Sequence, residues 1–428
     1  MYLLDVLLAV LALPALMTTG YLCALALCAR RAPARAAGVP TLRFDIVVPA
    51  HDEEAGIART VGNLLAVDYP AHLCRVLVVA DNCRDATARR ARGAGAVVLE
   101  RDDPAHVGKG YALSLAFRRS LADRFADAVV VVDADTDASP NLLQAFAARL
   151  AAGATAIQGH YTVRNADASW RTRLMAVAFC LFHKVRSLAR ERFGLSAGLR
   201  GNGMCFATSV LREVPHDAYS VVEDLEYGIR LGLAGHRVHY ADDAVVLGDM
   251  VSSERASRSQ RRRWEGGRRD LRGRYAGALL AAALRRRDPI LLDLALDLLV
   301  PPLAMVATGV AVGLAASVLL SLWAGTVLPA TYAWLACAAL LAAYVLRGVQ
   351  LAGLGWRGLL ALLHAPVYVA WKLALPLLSG RDRRGWVRTA REPLPARAPE
   401  PVPQPVGQRV AVRVGGPAIT LKIPRPER

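Results

Sequence analysis

Carboxylates follow apolar stretches along this chain, in positions where side chains can do chemistry. The sharpest case is VVVVDADTD, in which Asp133 and Asp135 leave a buried strand one residue apart. Oxygen ligands of this kind suit Mg²⁺ or Mn²⁺ bound to a diphosphate. An equally weighted alternative is a solvated turn that caps the next helix through Thr136, Asp137 or Ser139.

Two further polar groups follow other apolar stretches. Asp81 in VVADNCRDAT could accept hydrogen bonds from a base or a ribose, or it could serve as a turn residue at a strand end. Lys109 lies in GKG at the start of a predicted helix, where it could hold an anion together with the backbone N–H groups. The GKG signal is weak, because the rest of a phosphate-loop motif is missing.

The segment YSVVEDLEYG places acidic side chains, including Glu223 and Asp224, at the start of another predicted helix. Acidic residues stabilise a helix at this position, and a general base in a half-buried cleft would have the same sequence pattern. Upstream, RGNGMCFAT has two glycines around Asn202. These glycines permit the close approach of a sugar or of backbone, or they form a tight turn.

The segment SQRRRWEGG combines an amide, guanidinium groups and an indole. Helical spacing puts Gln260, Arg263 and Trp264 on one face, because residues three and four apart are neighbours. Arginine suits a diphosphate, and tryptophan stacks on sugar rings. The alternative is a basic helix on anionic lipid, which the arginines between 268 and 287 favour. Aromatic residues are too sparse here for a nucleic-acid platform, so no nucleic-acid partner is predicted.

The elements that must position these groups alternate between strand and helix from about residue 42 to 277. The apolar strands are predicted at residues 44–50, 75–81, 96–102 and 127–137. Helices connect them, and the first helix is predicted to open at the acidic residues of HDEEAG. This order predicts an α/β domain with a mostly parallel sheet and helices on both faces. Ligands on such sheets bind at the carboxyl ends of the strands.

Membrane segments are predicted on both sides of this domain. The chain has 428 residues, 54% of them hydrophobic, and a formal net charge of +17, which favours an anionic partner. Residues 2–28 are almost wholly apolar and arginines follow them, so an uncleaved anchor with its C-terminal end in the cytoplasm is predicted rather than a signal peptide. Residues 301–323 and 330–346 are predicted spans. Residues 358–378 either cross the membrane or lie in its interface.

The predicted organisation has four parts. They are a membrane helix at 1–29, a cytoplasmic catalytic domain at 42–277, an interfacial helix and C-terminal membrane region at 278–380, and a basic, proline-rich tail at 381–428. The tail is predicted to be extended or disordered. The seven cysteines have no paired spacing, which indicates a reducing compartment and no structural zinc.

The polar motifs, taken together, resemble those of the membrane-embedded family 2 glycosyltransferases, the group of cellulose, hyaluronan and poly-N-acetylglucosamine synthases. In chain order they are Asp81, the D-x-D of Asp133 and Asp135, the pair Glu223 and Asp224, and the QRRRW of Gln260 to Trp264. IVVPAHDEE also resembles the family's opening P-x-x-N-E, with Asp52 in place of the asparagine. A D-x-D-x-T after a strand is found in haloacid dehalogenase-like phosphotransferases too, but there it usually opens the domain.

The resemblance implies a GT-A, Rossmann-like fold and inverting transfer from a nucleotide sugar. Asp81 would contact the base or ribose, and Asp133 the nucleotide sugar. Asp135 would hold Mg²⁺ or Mn²⁺ on the diphosphate, and Asp224 would deprotonate the acceptor hydroxyl. The other predicted substrate-binding residues are Lys109, Glu223, Gln260, Arg263 and Trp264.

The resemblance leaves the acceptor open. The first expectation is a growing glycan, as in exopolysaccharide synthesis, with a UDP-sugar as donor and a polysaccharide-synthesis partner or a second copy of the chain. The alternative is transfer of one sugar to a lipid, as in ceramide glucosyltransferase or on a polyprenyl carrier. A third hypothesis is a non-catalytic membrane protein that binds nucleotide sugars. The expected location is the bacterial inner membrane, in contact with its lipids.

Overall fold

The computed structural model describes residues 1–31, 38–248 and 254–370, and for residues 254–263 it gives the helical backbone alone. The strands are β1 Phe44–Ala50, β2 Cys74–Asp81, β3 Val97–Arg101, β4 Ala128–Val131, β5 Asp137–Ala138, β6 Ala156–Val163, β7 Met204–Ala207 and β8 Val238–Gly248. The helices of the first half are α1 Tyr2–Cys28, α2 Ile57–Leu65, α3 Thr87–Gly93, α4 Lys109–Asp123, α5 Leu142–Ala151, α6 Trp170–Phe179, a π-helix at Cys180–Val185, and α7 Arg186–Arg192. Those of the second half are α8 Thr208–Glu213, α9 Glu223–Leu233, α10 Glu254–Arg286, α11 Pro289–Leu299, α12 Leu303–Ala324, α13 Pro329–Ala352 and α14 Gly355–Leu362.

One mixed sheet of eight strands carries the first half of the fold, in the order β3-β2-β1-β4-β7-β6-β8-β5. β1 pairs in parallel with β2 and β4, and β2 pairs in parallel with β3, as the sequence predicts. The predicted parallel pairing is confirmed for β1 to β4, and beyond β4 the sheet is mixed, because β7 is antiparallel to both β4 and β6 whereas β6 and β8 are parallel. The backbone N–H of Gly203 donates to Val131 O at 3.0 Å, so β7 starts at the carboxyl end of β4 and must run backwards.

Both faces of the sheet are covered by helices, because the apolar residues of its central strands point alternately to either side. Ile46 and Val48 of β1 belong to the core under α2, α3 and α5. Val47 between them belongs to the core under α4, α8 and α9. The carboxyl ends of β1, β2 and β4 are therefore held at one edge between two packed layers.

Two predicted elements differ at this edge. α2 begins at Ile57 and not at the acidic residues, because Asp52 has a φ of +52° and its Oδ1 accepts from the backbone of Arg84 at 2.7 Å. The strand predicted at 127–137 is two strands, since β4 ends at Val131 and β5 starts at Asp137. A turn closed by Thr136 N and Asp133 O at 3.1 Å separates them. The D-x-D segment is thus a turn at the sheet edge.

Three helices, α1, α12 and α13, are long and apolar enough to cross a membrane. They pack directly on one another. The indole of Trp334 donates to Leu8 O at 3.1 Å, and Asp5 Oδ1 accepts from the backbone of Ala330 at 3.0 Å. A Cβ at Gly313 would lie 2.3 Å from the Trp334 ring, so α12 and α13 are in close contact. Of the segment predicted at 358–378, residues 371–378 lie outside the described residues.

The α/β domain is joined to the helices near the membrane segments by continuous packing. α10 runs through residue 277, where the sequence places a domain boundary. α11 then packs on α9, where Gly232 approaches the side chain of Leu294. The helices α6 and α7, with the π-helix between them, lie against α1 and α13, and a Cβ at Gly348 would lie 2.4 Å from Leu181.

Candidate active site

Lys109 lies at the centre of a cluster of acidic side chains at the sheet edge. Its Nζ donates to Asp133 Oδ1 and to Gly201 O, each at 2.5 Å, and lies 4.0 Å from Glu223 Oε1. Helix α4 begins at Lys109, after Gly108 with a φ of +137°. A single ammonium group therefore joins the turn after β4, the loop before β7 and the start of α9.

The predicted pair Glu223 and Asp224 begins α9, and Glu223 is only 8% exposed. Burial raises the pKa of Glu223 to about 8, against the attraction of Lys109 and with the support of Asp224. Burial also raises the pKa of Asp224. The backbone N–H of Leu225 and the ammonium group of Lys109 oppose this rise. Because the pKa of Glu223 is about 8, this carboxyl group can take up and give back a proton near neutral pH, and Asp224 lies beside it in sequence.

The glycine–asparagine–glycine loop clamps the turn that holds Asp133. Gly201 and Gly203 have φ values of +79° and +67°, which side-chain-bearing residues rarely adopt. Asn202 between them is fully buried; its Oδ1 accepts from the backbone N–H of Asp133 at 3.1 Å. A Cβ at Gly201 would lie 3.3 Å from Asp224 Oδ2. The glycine is therefore needed for close approach, one of the two interpretations that the sequence allows.

Asp81 ends β2 at the same edge of the sheet, separated from β4 by β1. Its carboxylate is 5% exposed and accepts from Arg101 Nη1 at 2.6 Å. Burial raises its pKa, and the hydrogen bond from Arg101 opposes that shift. Arg101 at the end of β3 thus holds Asp81 at the end of β2, on the edge of the sheet where the cluster lies.

Asp133 and Asp135 form the predicted donor set for a divalent cation. Asp133 is engaged by Lys109, while the backbone oxygen of Asp135 accepts from Arg164 Nη2 at 2.9 Å. Both side chains are half-buried and lie in the turn after β4. Mg²⁺ commonly binds through one or two carboxylates together with substrate phosphates, so this pair fits a diphosphate-bound ion.

A second group of possible metal ligands lies in the described residues at the ends of β1 and β2. It consists of Asp52, Cys83 and Asp85, whose ligand atoms lie within 4.8 Å of one another. Their oxygens accept from backbone N–H groups of this loop pair, as Asp85 Oδ2 does from Glu54 at 3.0 Å. The hydrogen bonds explain the cluster as the framework of the two loops beside Asp81.

The QRRRW segment lies on α10, as the sequence predicts a helix there. The side chains of Gln260 and Arg263 lie outside the described residues. Trp264 is 39% exposed, and its ring centroid lies 6.2 Å from that of Phe179 in α6. The indole is therefore available at the junction of α10 with the membrane-proximal helices.

The structure brings Lys109, Asp133, Glu223 and Asp224 together, although up to 115 residues separate them in sequence. The sequence interpretation missed the supporting residues, above all Arg101 beside Asp81 and Asn202 beside Asp133. A signal for Arg101 existed, because parallel strands place the residues that end β2 and β3 side by side.

A family model described as "Glycosyltransferase like family 2" matches residues 40–267, more than half of the chain. The chain belongs to this family. The resemblance that the motifs indicate is thereby confirmed. The matched region contains every predicted site residue and ends just after the QRRRW segment.

Relatives of this family 2 glycosyltransferase include enzymes of two kinds. An N-acetylglucosaminyltransferase of Rhizobium meliloti is 28% identical over 369 residues, which are 79% of this chain and 78% of the relative. A beta-monoglucosyldiacylglycerol synthase of Synechocystis is 30% identical over 243 residues, which are 54% of this chain and 49% of the relative. The chain spans about half the length of several further curated relatives that it matches.

Among solved structures, a mannosyltransferase from Pyrobaculum calidifontis, in complex with GDP-Man and Mn²⁺, has a similar fold. Its TM-score is 0.54 at 20% identity, covering 81% of this chain and 97% of that chain. The predicted GT-A-like α/β fold, with apolar helices on both sides of the glycosyltransferase domain, is confirmed.

Proposed function

We propose that this chain transfers a sugar from a nucleotide sugar to an acceptor hydroxyl, with inversion at the anomeric carbon. The observation that carries the proposal is the cluster of Lys109, Asp133, Glu223 and Asp224 at the carboxyl edge of the sheet. Both named relatives are sugar transferases, which supports the reaction class.

Asp224 is the base in this proposal. It accepts the proton of the acceptor hydroxyl while the acceptor oxygen bonds to the anomeric carbon, and the nucleoside diphosphate leaves on the opposite side. Lys109 favours the ionised form of Asp224 and holds Asp133 toward the donor sugar. Glu223, whose pKa is raised to about 8, is protonated at neutral pH and donates a hydrogen bond. Asp81 receives the base or ribose.

The proposed cofactor is Mg²⁺ or Mn²⁺, held by Asp135 beside Asp133. When bound, the ion neutralises the charge that grows on the departing diphosphate. The half-buried carboxylate of Asp135 in the turn after β4 is the feature that fits the ion. The Mn²⁺ in the mannosyltransferase from Pyrobaculum calidifontis supports a divalent ion in this fold. Gln260, Arg263 and Trp264 stay the proposed residues that close the site.

The acceptor is either a growing glycan or a lipid, and one observation favours the lipid. α1, α12 and α13 pack directly on one another through Trp334 and Asp5, and a channel for a glycan would need more helices than the three apolar ones in the described part of the chain. Export of a polymer then needs a partner or a second copy. The glucosyldiacylglycerol synthase among the relatives supports a lipid acceptor. The proposed location is the cytoplasmic face of a bacterial inner membrane.

A donor panel tests this function. Membranes containing the protein are incubated with labelled UDP- and GDP-sugars and Mg²⁺ or Mn²⁺, and the products are separated into lipid-extractable and polymeric fractions. We expect label in one of these fractions and its loss in the Asp224→Asn variant. Label in the lipid fraction selects the lipid acceptor, and label in the polymer selects the glycan. Binding of donors with no product from any of them would select the non-catalytic hypothesis.

A further inference from the structure

Four guanidinium groups are buried in the seam between the catalytic domain and the membrane-proximal helices. They belong to Arg186, Arg190, Arg200 and Arg268. The carboxylates among them in the described residues are Asp293 and Asp297 of α11. The seam therefore holds two more positive than negative charges away from water. Buried charges in proteins are normally paired, so this excess requires an explanation.

Three of these arginines have a carboxylate partner. Arg186 Nη1 and Arg190 Nη2 each lie 2.9 Å from Asp297 Oδ1, and Arg190 Nε lies 2.7 Å from an oxygen of Asp293. Arg268 donates to the backbone oxygen of Asp297 and lies 3.7 Å from its carboxylate. These pairs link α7 and α10 to α11 and account for the buried aspartates.

Arg200 has no such partner in the part of the chain that the structure describes. It is 7% exposed, its Nη2 donates to Ala197 O at 3.1 Å, and its buried Nε has no hydrogen-bond partner. Its Cζ lies 4.2 Å from the centre of the Phe182 ring. Burial, together with the neighbouring arginines, lowers its pKa to about 10. Arg200 thus has no carboxylate within ion-pair distance among the described residues, although Asp297 acts on it from further away and opposes the fall in its pKa.

The position of Arg200 relates it to the site. Its neighbour Gly201 touches Lys109 through its carbonyl oxygen and approaches Asp224 Oδ2. Lys109 thus holds one side of this loop, which faces Asp133 and the donor. The guanidinium of Arg200 packs on Phe182 of the π-helix, a segment that contacts α13.

The side chains near this guanidinium group belong to the membrane-proximal helices. Phe182 is partly exposed, and Arg268, 19% exposed, stacks over the same ring at 5.4 Å. Trp264 lies one helical turn before Arg268 on α10 and is 39% exposed. The partly exposed side chains near these arginines therefore include an indole and a phenyl ring.

We infer that Arg200, with Arg268 beside it, binds a phosphate group of the acceptor, and that the acceptor is a phospholipid whose headgroup carries a free hydroxyl. The inference rests on the proposed function and names its acceptor class. Phosphate suits the vacant donors because guanidinium groups bind it through paired N–H···O bonds. In this inference the headgroup hydroxyl reaches Asp224, whose Oδ2 lies close to Gly201, the residue next to Arg200.

The reaction balances with this acceptor. The headgroup oxygen bonds to the anomeric carbon, the bond from that carbon to the diphosphate breaks, and the hydroxyl proton passes to Asp224. The products are a glycosylated phospholipid, a nucleoside diphosphate and a proton. The phosphate of the acceptor is unchanged, because Arg200 only positions it.

Acceptor kinetics test the inference. Phosphatidylcholine vesicles that contain phosphatidylglycerol are compared with phosphatidylcholine vesicles that contain diacylglycerol, at saturating donor, for the wild type and Arg200→Gln. We expect the wild type to prefer phosphatidylglycerol by at least tenfold in kcat/KM. In Arg200→Gln the KM for phosphatidylglycerol should rise at least tenfold and the preference should disappear, with the KM for the donor unchanged. The matched control is Arg192→Gln, an exposed arginine at the end of α7.

The other outcomes overturn the inference. A rise in the KM of the nucleotide sugar in Arg200→Gln would mean that Arg200 serves the donor diphosphate. Equal use of both vesicles by both proteins would mean that the phosphate is not recognised. Turnover on diacylglycerol alone leaves the proposed function standing and rejects only this acceptor, whereas no turnover of any donor rejects both. If Arg200→Gln does not fold, Arg200→Lys keeps the charge but not the paired donors, and its KM for phosphatidylglycerol should still rise.

Discussion

Replacing Lys109 by methionine is the sharpest test of the catalytic cluster. Lys109 Nζ and Asp224 Oδ2 lie 3.8 and 3.3 Å from the same point, a Cβ position at Gly201, so they are within about 7 Å of each other. At an effective dielectric constant of about 20, two charges at about 7 Å attract by roughly 2.4 kcal/mol. At about 1.36 kcal/mol per pH unit, that attraction corresponds to nearly two units. Solvent screens the partly exposed ammonium, so we expect about one.

The sign follows from the role of the base. Lys109 favours the ionised form of Asp224, so its removal raises the pKa of Asp224. Only the ionised carboxylate accepts a proton, and the acidic limb of kcat/KM against pH should therefore move up by about one pH unit. On that limb the activity should fall by about tenfold at a given pH.

The measurement is the pH profile of kcat/KM for wild type and Lys109→Met, with donor turnover followed by release of the nucleoside diphosphate. Lys184→Met is the matched control, because Lys184 is also a buried lysine with a carboxylate partner, Asp242 at 3.1 Å. The control should leave the acidic limb in place. An unmoved limb in a folded Lys109→Met protein would refute the role of Lys109 and with it the assignment of Asp224.

Three further variants probe the same fold. Glu223→Gln should keep its activity below pH 8 and lose the decline that the wild type shows above about pH 8, where Glu223 ionises; an unchanged alkaline limb contradicts this role. Gly201→Ala, at a φ of +79° and 3.3 Å from Asp224 Oδ2, should lower kcat about tenfold, and a wild-type kcat would show that the loop is not held tightly. Gly348→Val adds a side chain at a position where even a Cβ would lie 2.4 Å from Leu181, so it should lower the free energy of unfolding by about 1–3 kcal/mol, seen as a lower Tm of the purified protein. Gly309→Val, where nothing lies within 4 Å of a Cβ, should leave the Tm unchanged.

Elements with strong local signals are predicted well from the sequence. The strand at 44–50 is β1 with the same bounds, since a β-branched apolar run is followed by a polar turn. The apolar stretch 2–28 is α1 with the same bounds. Both elements are determined by residues within themselves, and distant partners change neither their type nor their ends.

Elements that depend on distant partners are not predicted. β6 and β8 pair in parallel through eight residue pairs, yet neither has a clear strand signal. β8 carries Asp242 and Asp243, which oppose a strand interpretation and are accepted because Lys184 and Arg149 neutralise them. The register shift between Gly159 and His160 likewise follows from the approach of β7 and β8.

The candidate site shows the same division. The acidic residues after a strand and at a helix start are visible in the sequence, and three of them, Asp133, Glu223 and Asp224, come together around Lys109. The isolation of Arg200 is not visible, because its possible counter-charges lie more than 90 residues further along, on α11. Which arginine is left without a carboxylate is decided only when α7, α10 and α11 pack together.

The ion pairs of the seam also fix the position of Asp224 relative to the apolar helix α1. α9, which carries Asp224, packs on α11 at Gly232, and α11 is joined to Arg190 of α7, which donates to Tyr21 of α1. The proposed base, Asp224, is therefore linked through packed helices and ion pairs to α1, one of the helices long and apolar enough to cross a membrane. We therefore expect the enzyme to accept only hydroxyl groups that the rest of the acceptor holds at the level of Asp224. Lengthening the headgroup of an acceptor, with its chemistry unchanged, should exclude it from the reaction.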